Sequence, residues 1–364
     1  MDTITQGLLG AVTAQLGFRQ SIGRDATLVA TASAILPDLD VFLAPFITLS
    51  GAELDGFAVA ASHRGITHSI IFAPLLALPV TLLWWWLRRS LGNQGNHATK
   101  RHSSPWMLYL CVLVAVATHG LLDWCTSYGT QLLSPITARR YAIDAVPIVD
   151  FIYTPLLIVT LLACGIARRV NRSRQVRRTL IIGWIGFLSS VAYLAAGRVM
   201  HNWAAEQARM AADQAKMTVI RADAYPALGT IFLWRTVVET EQEWIVARLH
   251  RFSGDRANEW RRQIARKNNG PWVARARQVG QVKNYDWFAD GRLRASYASQ
   301  GDHHIVTFHD MRYGWPVESV ESLWPLTVIL NDEGKVLHVG RKPRNPRPSP
   351  RRMVKDIWHD IWNP

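Results

Sequence analysis

Four long apolar runs, residues 70–87, 106–122, 151–167 and 179–197, fall in the first 200 residues of a 364-residue chain. Each approaches the roughly 20 residues a helix needs to cross a hydrocarbon core. Backbone in lipid must satisfy its own polar groups, so runs of this length are expected as helices. Two shorter apolar stretches precede them. Residues 4–17 carry Gly7, Gly10, Ala11 and Ala14 at helical spacing, a pattern for close packing on neighbours. Residues 26–36 follow, with Asp25 or Thr27 as the capping residue and Pro37 as the stop. Both are short for a crossing and are expected to tilt, re-enter or be shielded by protein.

Charge sets the orientation. The loops at 88–104 and 168–178 hold the basic clusters, and the positive-inside rule puts both in the cytoplasm. Trp84, Trp85 and Trp86 with Arg88 and Arg89 suit an interfacial belt. The N-terminal end of 70–87, the C-terminal end of 106–122 and the start of 151–167 then face the opposite, periplasmic side, together with Pro37-Asp38-Leu39-Asp40. The formal net charge is +14. Much of it sits in these loops and in a Pro/Arg-rich tail, so nucleic acid is not expected as a partner, whereas membrane lipids are. Cys111, Cys125 and Cys164 form no Cys-x-x-Cys and are expected as small core residues. Asp2 and the lack of a basic leader speak against a cleaved signal peptide.

Beyond residue 198 the pattern changes. An Ala-rich amphipathic helix is expected over 201–216, strands over 231–240, 243–250, 305–308, 326–330 and 336–339, and a charged helix over 255–267. Asn331-Asp332-Glu333-Gly334 suits a hairpin turn. The expected architecture is mainly α: a polytopic helical membrane bundle (1–198), a small α+β soluble domain (199–340), and a basic tail (341–364) that is extended or disordered over 341–352 and ends in a short helix over 356–362.

The chemistry-bearing residues cluster at the ends of the apolar runs. His119 and Asp123 are four apart, one face of a helix, a usual half-site for zinc. A buried His–Asp hydrogen bond is the commoner use of such a pair. His63 and His68 are five apart and can converge only with His63 in a loop and His68 at a helix start. Arg64 between them suits an anionic substrate or an aspartate; Thr67 and Ser69 suit caps. Asp38 and Asp40, two apart in what reads as extended chain, point the same way and can clamp a cation. Asp150 precedes an apolar run, where capping competes with ligation. Gathered at one membrane face, three histidines and four aspartates are costly unless paired, and a divalent metal, zinc first, offsets that cost.

Met1-Asp2-Thr3-Ile4-Thr5-Gln6, Pro37-Asp38-Leu39-Asp40, His63-Arg64-Gly65-Ile66-Thr67-His68-Ser69, Thr118-His119-Gly120-Leu121-Leu122-Asp123 and Tyr128-Gly129-Thr130-Gln131 together resemble the YdjM-type family of bacterial inner-membrane metal-dependent hydrolases. The resemblance covers residues 1 to about 200. It extends less closely, through Trp234-Arg235 and Asp310-Met311-Arg312-Tyr313-Gly314, to the long form with a C-terminal domain. Many members have His where this chain has Gln6. By the resemblance, the family stands near zinc-dependent phospholipase C. The implied function is hydrolysis of a phosphoester or lipid-linked substrate at the periplasmic face of the inner membrane. Asp38, His68, His119, Asp123 and Asp150 would ligate metal, with Arg64, Asp40 and His63 in catalytic roles. The alternative is a non-catalytic inner-membrane scaffold or sensor with a partner-binding periplasmic domain. A transporter is disfavoured, because the charges gather at one end of the runs rather than mid-span.

Overall fold

The structure is a computed structural model describing residues 1–43, 63–92, 104–170, 175–252, 262–341 and 349–362. The chain divides into two compact units. The first comprises Met1–Ala52, Ser62–Ile143 and Ile148–Ala196; the second includes Asp144–Pro147 and Gly197–Pro364.

In the first unit, α1 (Thr3–Thr13) begins at Asp2, whose carboxylate accepts the Thr5 amide at 3.0 Å. A short α2 (Phe18–Ile22) leads to α3 (Ala26–Ile35). α1 and α3 lie close enough that a β-carbon on Gly10 would stand 2.5 Å from Ala34 Cβ and 2.6 Å from Ala30 O, which explains the small-residue stripe. Asp25 sits at the N-cap of α3 without capping it. Its carboxylate instead accepts from Trp84 Nε1 and Arg88 Nε at 3.0 and 2.5 Å. Arg88 therefore turns inward rather than serving as a free interfacial anchor, whereas Arg89 stacks over Trp85 at 3.5 Å.

Among the described residues, three helices are long and apolar enough to cross a membrane: α5 (Pro105–Trp124), α6 (Tyr153–Val170) and α7 (Gln175–Gln214). The first expected run forms α4 (Ala73–Gly92), which begins three residues later than anticipated and is not among the three. Ile70 is fixed in a turn by its amide bond to Leu132 O, and the tryptophans and arginines inside α4 lower its mean hydropathy. α3 and α4 pack on α5 around Val29, Ala30, Ala77, Leu108, Cys111 and Val112. The outward faces of α4, α6 and α7 expose Leu82, Leu83, Val159, Leu162, Ile185 and Leu188, the pattern of helices whose solvent is lipid. The three cysteines are free and buried. α7 runs 40 residues without a break, about 60 Å. The separate helix expected over 201–216 is thus the end of the last apolar one.

The second unit holds two antiparallel four-stranded meanders, so the chain is about half helical and the mainly-α expectation holds only in part. The first sheet is β1 (Val219–Pro226), β2 (Leu233–Thr240), β3 (Glu243–His250) and β4 (Arg262–Arg266). The second is β5 (Leu293–Gln300), β6 (His303–Asp310), β7 (Leu326–Asn331) and β8 (Val336–Arg341). Between the sheets in sequence lie α8 (Pro271–Ala276) and α9 (Gly280–Ala289). The helix expected over 255–267 is replaced, where described, by β4, whose pairing with β3 outweighs its charge-rich composition; residues 253–261 lie outside the described residues. β7 and β8 pair across the Asn331–Gly334 turn, with Gly334 at φ 77°. The tail is helical, α10 (Pro350–Trp362), from Pro350 rather than from 356, and residues 342–348 lie outside the described residues. Tyr225, Val237, Trp244, Val246 and Met311 form one core cluster that joins the two meanders.

Candidate metal centre

α5 supplies the first pair. His119 and Asp123 lie in its last turns, fully buried, with His119 Nε2 3.6 Å from Asp123 Oδ2. His119 Nδ1 sits 2.5 Å from Ala34 O. A carbonyl only accepts, so Nδ1 carries the proton and Nε2 is left with a lone pair facing the cluster. His68 reaches the same point from a 3-10 turn (Ile66–His68) before α4. Its Nε2 is 3.6 Å from Asp123 Oδ2 and 3.5 Å from Asp38 Oδ1. Asp38 Oδ1 is also 3.3 Å from His119 Nε2.

Gly120 makes this approach possible, because a β-carbon there would stand 2.2 Å from His68 O. The Nε2 atoms of His68 and His119 are buried without a hydrogen-bond partner, two orphaned groups aimed at one space, and Asp123 Oδ2, buried and making no hydrogen bond but ion-paired with Arg64, faces them. Asp38, His68 and His119 each offer a donor atom within 4.8 Å of the others. Four of the separations among these donors and Asp123 Oδ2, at 3.3–3.6 Å, lie close to the roughly 3.3–3.5 Å edge of a tetrahedron built on usual zinc–nitrogen and zinc–oxygen bonds. The residues present therefore fit a divalent ion of the zinc type.

Asp38 and Asp40 do not lie in extended chain. They are in a 3-10 helix (Leu36–Leu43), where positions two apart point in different directions. Asp38 faces His68 and His119 and is steadied by Thr3 Oγ1 at 2.6 Å. Asp40 turns to the other side of His68. It accepts from His63 Nδ1 and Thr67 Oγ1, both at 2.6 Å, and lies 3.4 Å from His68 Nδ1. Asp40, His63 and His68 form a second group of donors within 4.8 Å, so His68 belongs to both groups. Burial would raise the Asp38 and Asp40 carboxyls, but the histidines beside them outweigh it and hold both below the usual carboxylate range. For His68, burial is outweighed by Asp38 and Asp40, and its pKa is raised.

Arg64 adopts φ 64°, a left-handed conformation costly for a non-glycine residue. It is held there by Gln131 N and Thr130 Oγ1, which donate to its carbonyl at 3.0 and 3.2 Å. Its Nε lies 3.1 Å from Asp123 Oδ2, and its guanidinium stacks on Tyr128 at 4.2 Å. Asp150 stands apart from both donor groups. It accepts from the amides of Ile152 and Tyr153 at 2.8 Å and from Tyr193 Oη, as a helix cap does.

Four participants were not among the expected site residues, although Gln6 stands where many family members have His. Thr3 supports Asp38. Gln6 Nε2 donates to Asp123 Oδ1 at 3.0 Å. The Met1 amino group is buried against the same oxygen. Arg140 lies 5.0 Å over Tyr128, beside Arg64.

A helical unit with membrane-length apolar helices and a buried His/Asp donor cluster at one end of α3 and α5 defines a membrane protein with a candidate metal centre. The family model described as YdjM inner membrane protein matches residues 1–204, and the chain belongs to that family. No curated protein and no solved structure matches it.

Proposed function

We propose that the protein is an inner-membrane, metal-dependent hydrolase acting on a phosphoester, free or lipid-linked, at the periplasmic face. The observation that carries this reading is the convergence around Asp38 of His68 Nε2 and His119 Nε2, both buried without a hydrogen-bond partner, with Asp123 Oδ2, which Arg64 flanks. Asp38, His68, His119 and Asp123 would hold the ion, which when bound supplies Lewis acidity and an activated water near neutral pH.

The rest of the site is chemistry of the chain itself. Asp40 accepts a hydrogen bond from His63 Nδ1 and flanks Nδ1 of His68, so it orients two imidazoles and keeps their Nε2 lone pairs outward. His63 is the more accessible of the two rings, and its Nε2 lone pair is placed to accept a proton from an attacking water. Arg64 and Arg140, both over Tyr128, supply positive charge where phosphoryl oxygens gather negative charge.

The test is metal analysis of the purified protein beside His119→Ala and Asp123→Ala, with hydrolysis of phosphomonoester and phosphodiester probes. The parent is expected to carry a divalent ion that both variants lose. Arg64→Lys should keep the ion and slow hydrolysis about 10²–10³-fold. A parent protein that holds no divalent ion defeats the reading.

A further inference from the structure

A second polar site lies at the far ends of α1 and α3. α3 meets the His/Asp cluster at Ala34 and begins at Ala26, so about 12 Å of helix separates the two places. A cleft of about 700 Å³ opens there between α2, the end of α6 and the start of α7. Arg19, Arg24, Arg168 and Arg169 line it with Gln20 and Ser21, and no carboxylate is among its described lining residues.

The oxygens that hold Arg19 and Arg168 are neutral. Arg168 Nη1 donates to Gln15 Oε1 at 2.9 Å, and Arg19 Nη1 donates to Arg24 O and Thr27 Oγ1 at 2.9 and 3.1 Å. The nearby carboxylate, Asp25, is already engaged by Arg88 and Trp84. Burial lowers the Arg19 pKa, and the charges of Arg168 and Arg24 lower it further, so the guanidiniums work against one another. Arginines that only set membrane orientation need lie near the surface; they need not converge on a cleft or be oriented by buried amides. Gln15, 1% exposed and itself bonded to Ala11 O and Thr27 Oγ1, fixes Arg168 in place.

We propose that this cleft binds a phosphate group, separately from the His/Asp cluster. Guanidinium forks match phosphate oxygens, and an anion there relieves the mutual repulsion. The phosphate is that of an anionic lipid headgroup or a free phosphate, and the two sources differ in what competes.

The experiment measures binding of phosphatidylglycerol, phosphatidylcholine and inorganic phosphate to the full chain in detergent by native mass spectrometry and isothermal titration. Arg19→Gln/Arg168→Gln is expected to weaken phosphatidylglycerol or phosphate binding about tenfold or more. Arg177→Gln/Arg178→Gln, which removes equal charge from exposed positions on α7 outside the cleft, should leave it within about twofold. Arg169→Gln, an exposed wall residue, should weaken binding about threefold to fivefold with an unchanged melting temperature, and it decides the matter if the double variant fails to fold. Phosphatidylglycerol retained against excess phosphate identifies a headgroup; phosphate bound alone identifies a free anion. Equal binding by parent and cleft variants, or an equal loss in Arg177→Gln/Arg178→Gln, overturns the proposal.

Discussion

The imidazoles of His68 and His119 meet edge to face, their ring centroids 4.6 Å apart. One ring comes from a turn before α4 and the other from the interior of α5, and Gly120 is the reason they can touch. Gly120→Ala would place a methyl 2.2 Å from His68 O. The His68 turn must then move, at a cost of about 1–3 kcal/mol. Thermal denaturation should show the loss, and metal content should fall although every donor residue is still present.

Asp38 and Asp40 are expected to separate under substitution. Asp38 faces both unpartnered Nε2 atoms, whereas Asp40 touches the opposite side of His68. Asp38→Asn should abolish stoichiometric metal binding. Asp40→Asn should weaken it about 10–100-fold, the usual effect of losing an orienting carboxylate. Competition with a chelator of known affinity reads the difference, and equal effects would merge the two roles.

In the second unit Asp310 and Arg312 form a buried ion pair at 2.7 Å. Removing one partner, as in Asp310→Ala, leaves an uncompensated charge and should destabilise the unit by about 3–5 kcal/mol. Asp310→Leu/Arg312→Met should recover much of that loss in chemical denaturation, because the pair's value lies in mutual compensation.

His250 predicts a pH response near the tail. Its Nε2 donates to Ile361 O at 3.1 Å while Nδ1 accepts the Phe252 amide at 3.2 Å, so the neutral ring satisfies both contacts. Burial lowers its pKa below 6.5. Above that value neither folded nor unfolded chain is charged at this ring. As pH falls below it the unfolded chain takes up the proton first, and stability drops until the lowered folded value is passed. Hydrogen exchange should show α10 loosening on acidification, and His250→Gln should flatten the response.

How much of this was legible follows from what each signal depends on. His119 and Asp123 could be paired because helical spacing alone puts them on one face. His63, His68, Asp38 and Asp40 could be nominated as costly polar residues beside apolar runs, but their partners could not, since Asp40 was misdirected by reading its segment as extended. Thr3 and Arg140 could not be nominated because only tertiary proximity recruits them, whereas Gln6 was marked by the resemblance but not its bond to Asp123. The apolar runs were found with boundaries a few residues off. The continuity of α7 was lost because polarity changes along it while helicity does not. β4 looked helical because its residues carry charge without alternation; only a neighbouring strand makes it a strand.

The winding of the Leu36–Leu43 segment carries a last implication. Each residue of a 3-10 helix turns the side chain by about 120°. Inserting or deleting one residue between Pro37 and Asp40 would swing a carboxylate from one imidazole face to another while leaving composition intact. The register of this stretch, as much as its aspartates, is therefore what natural variation at the site must preserve.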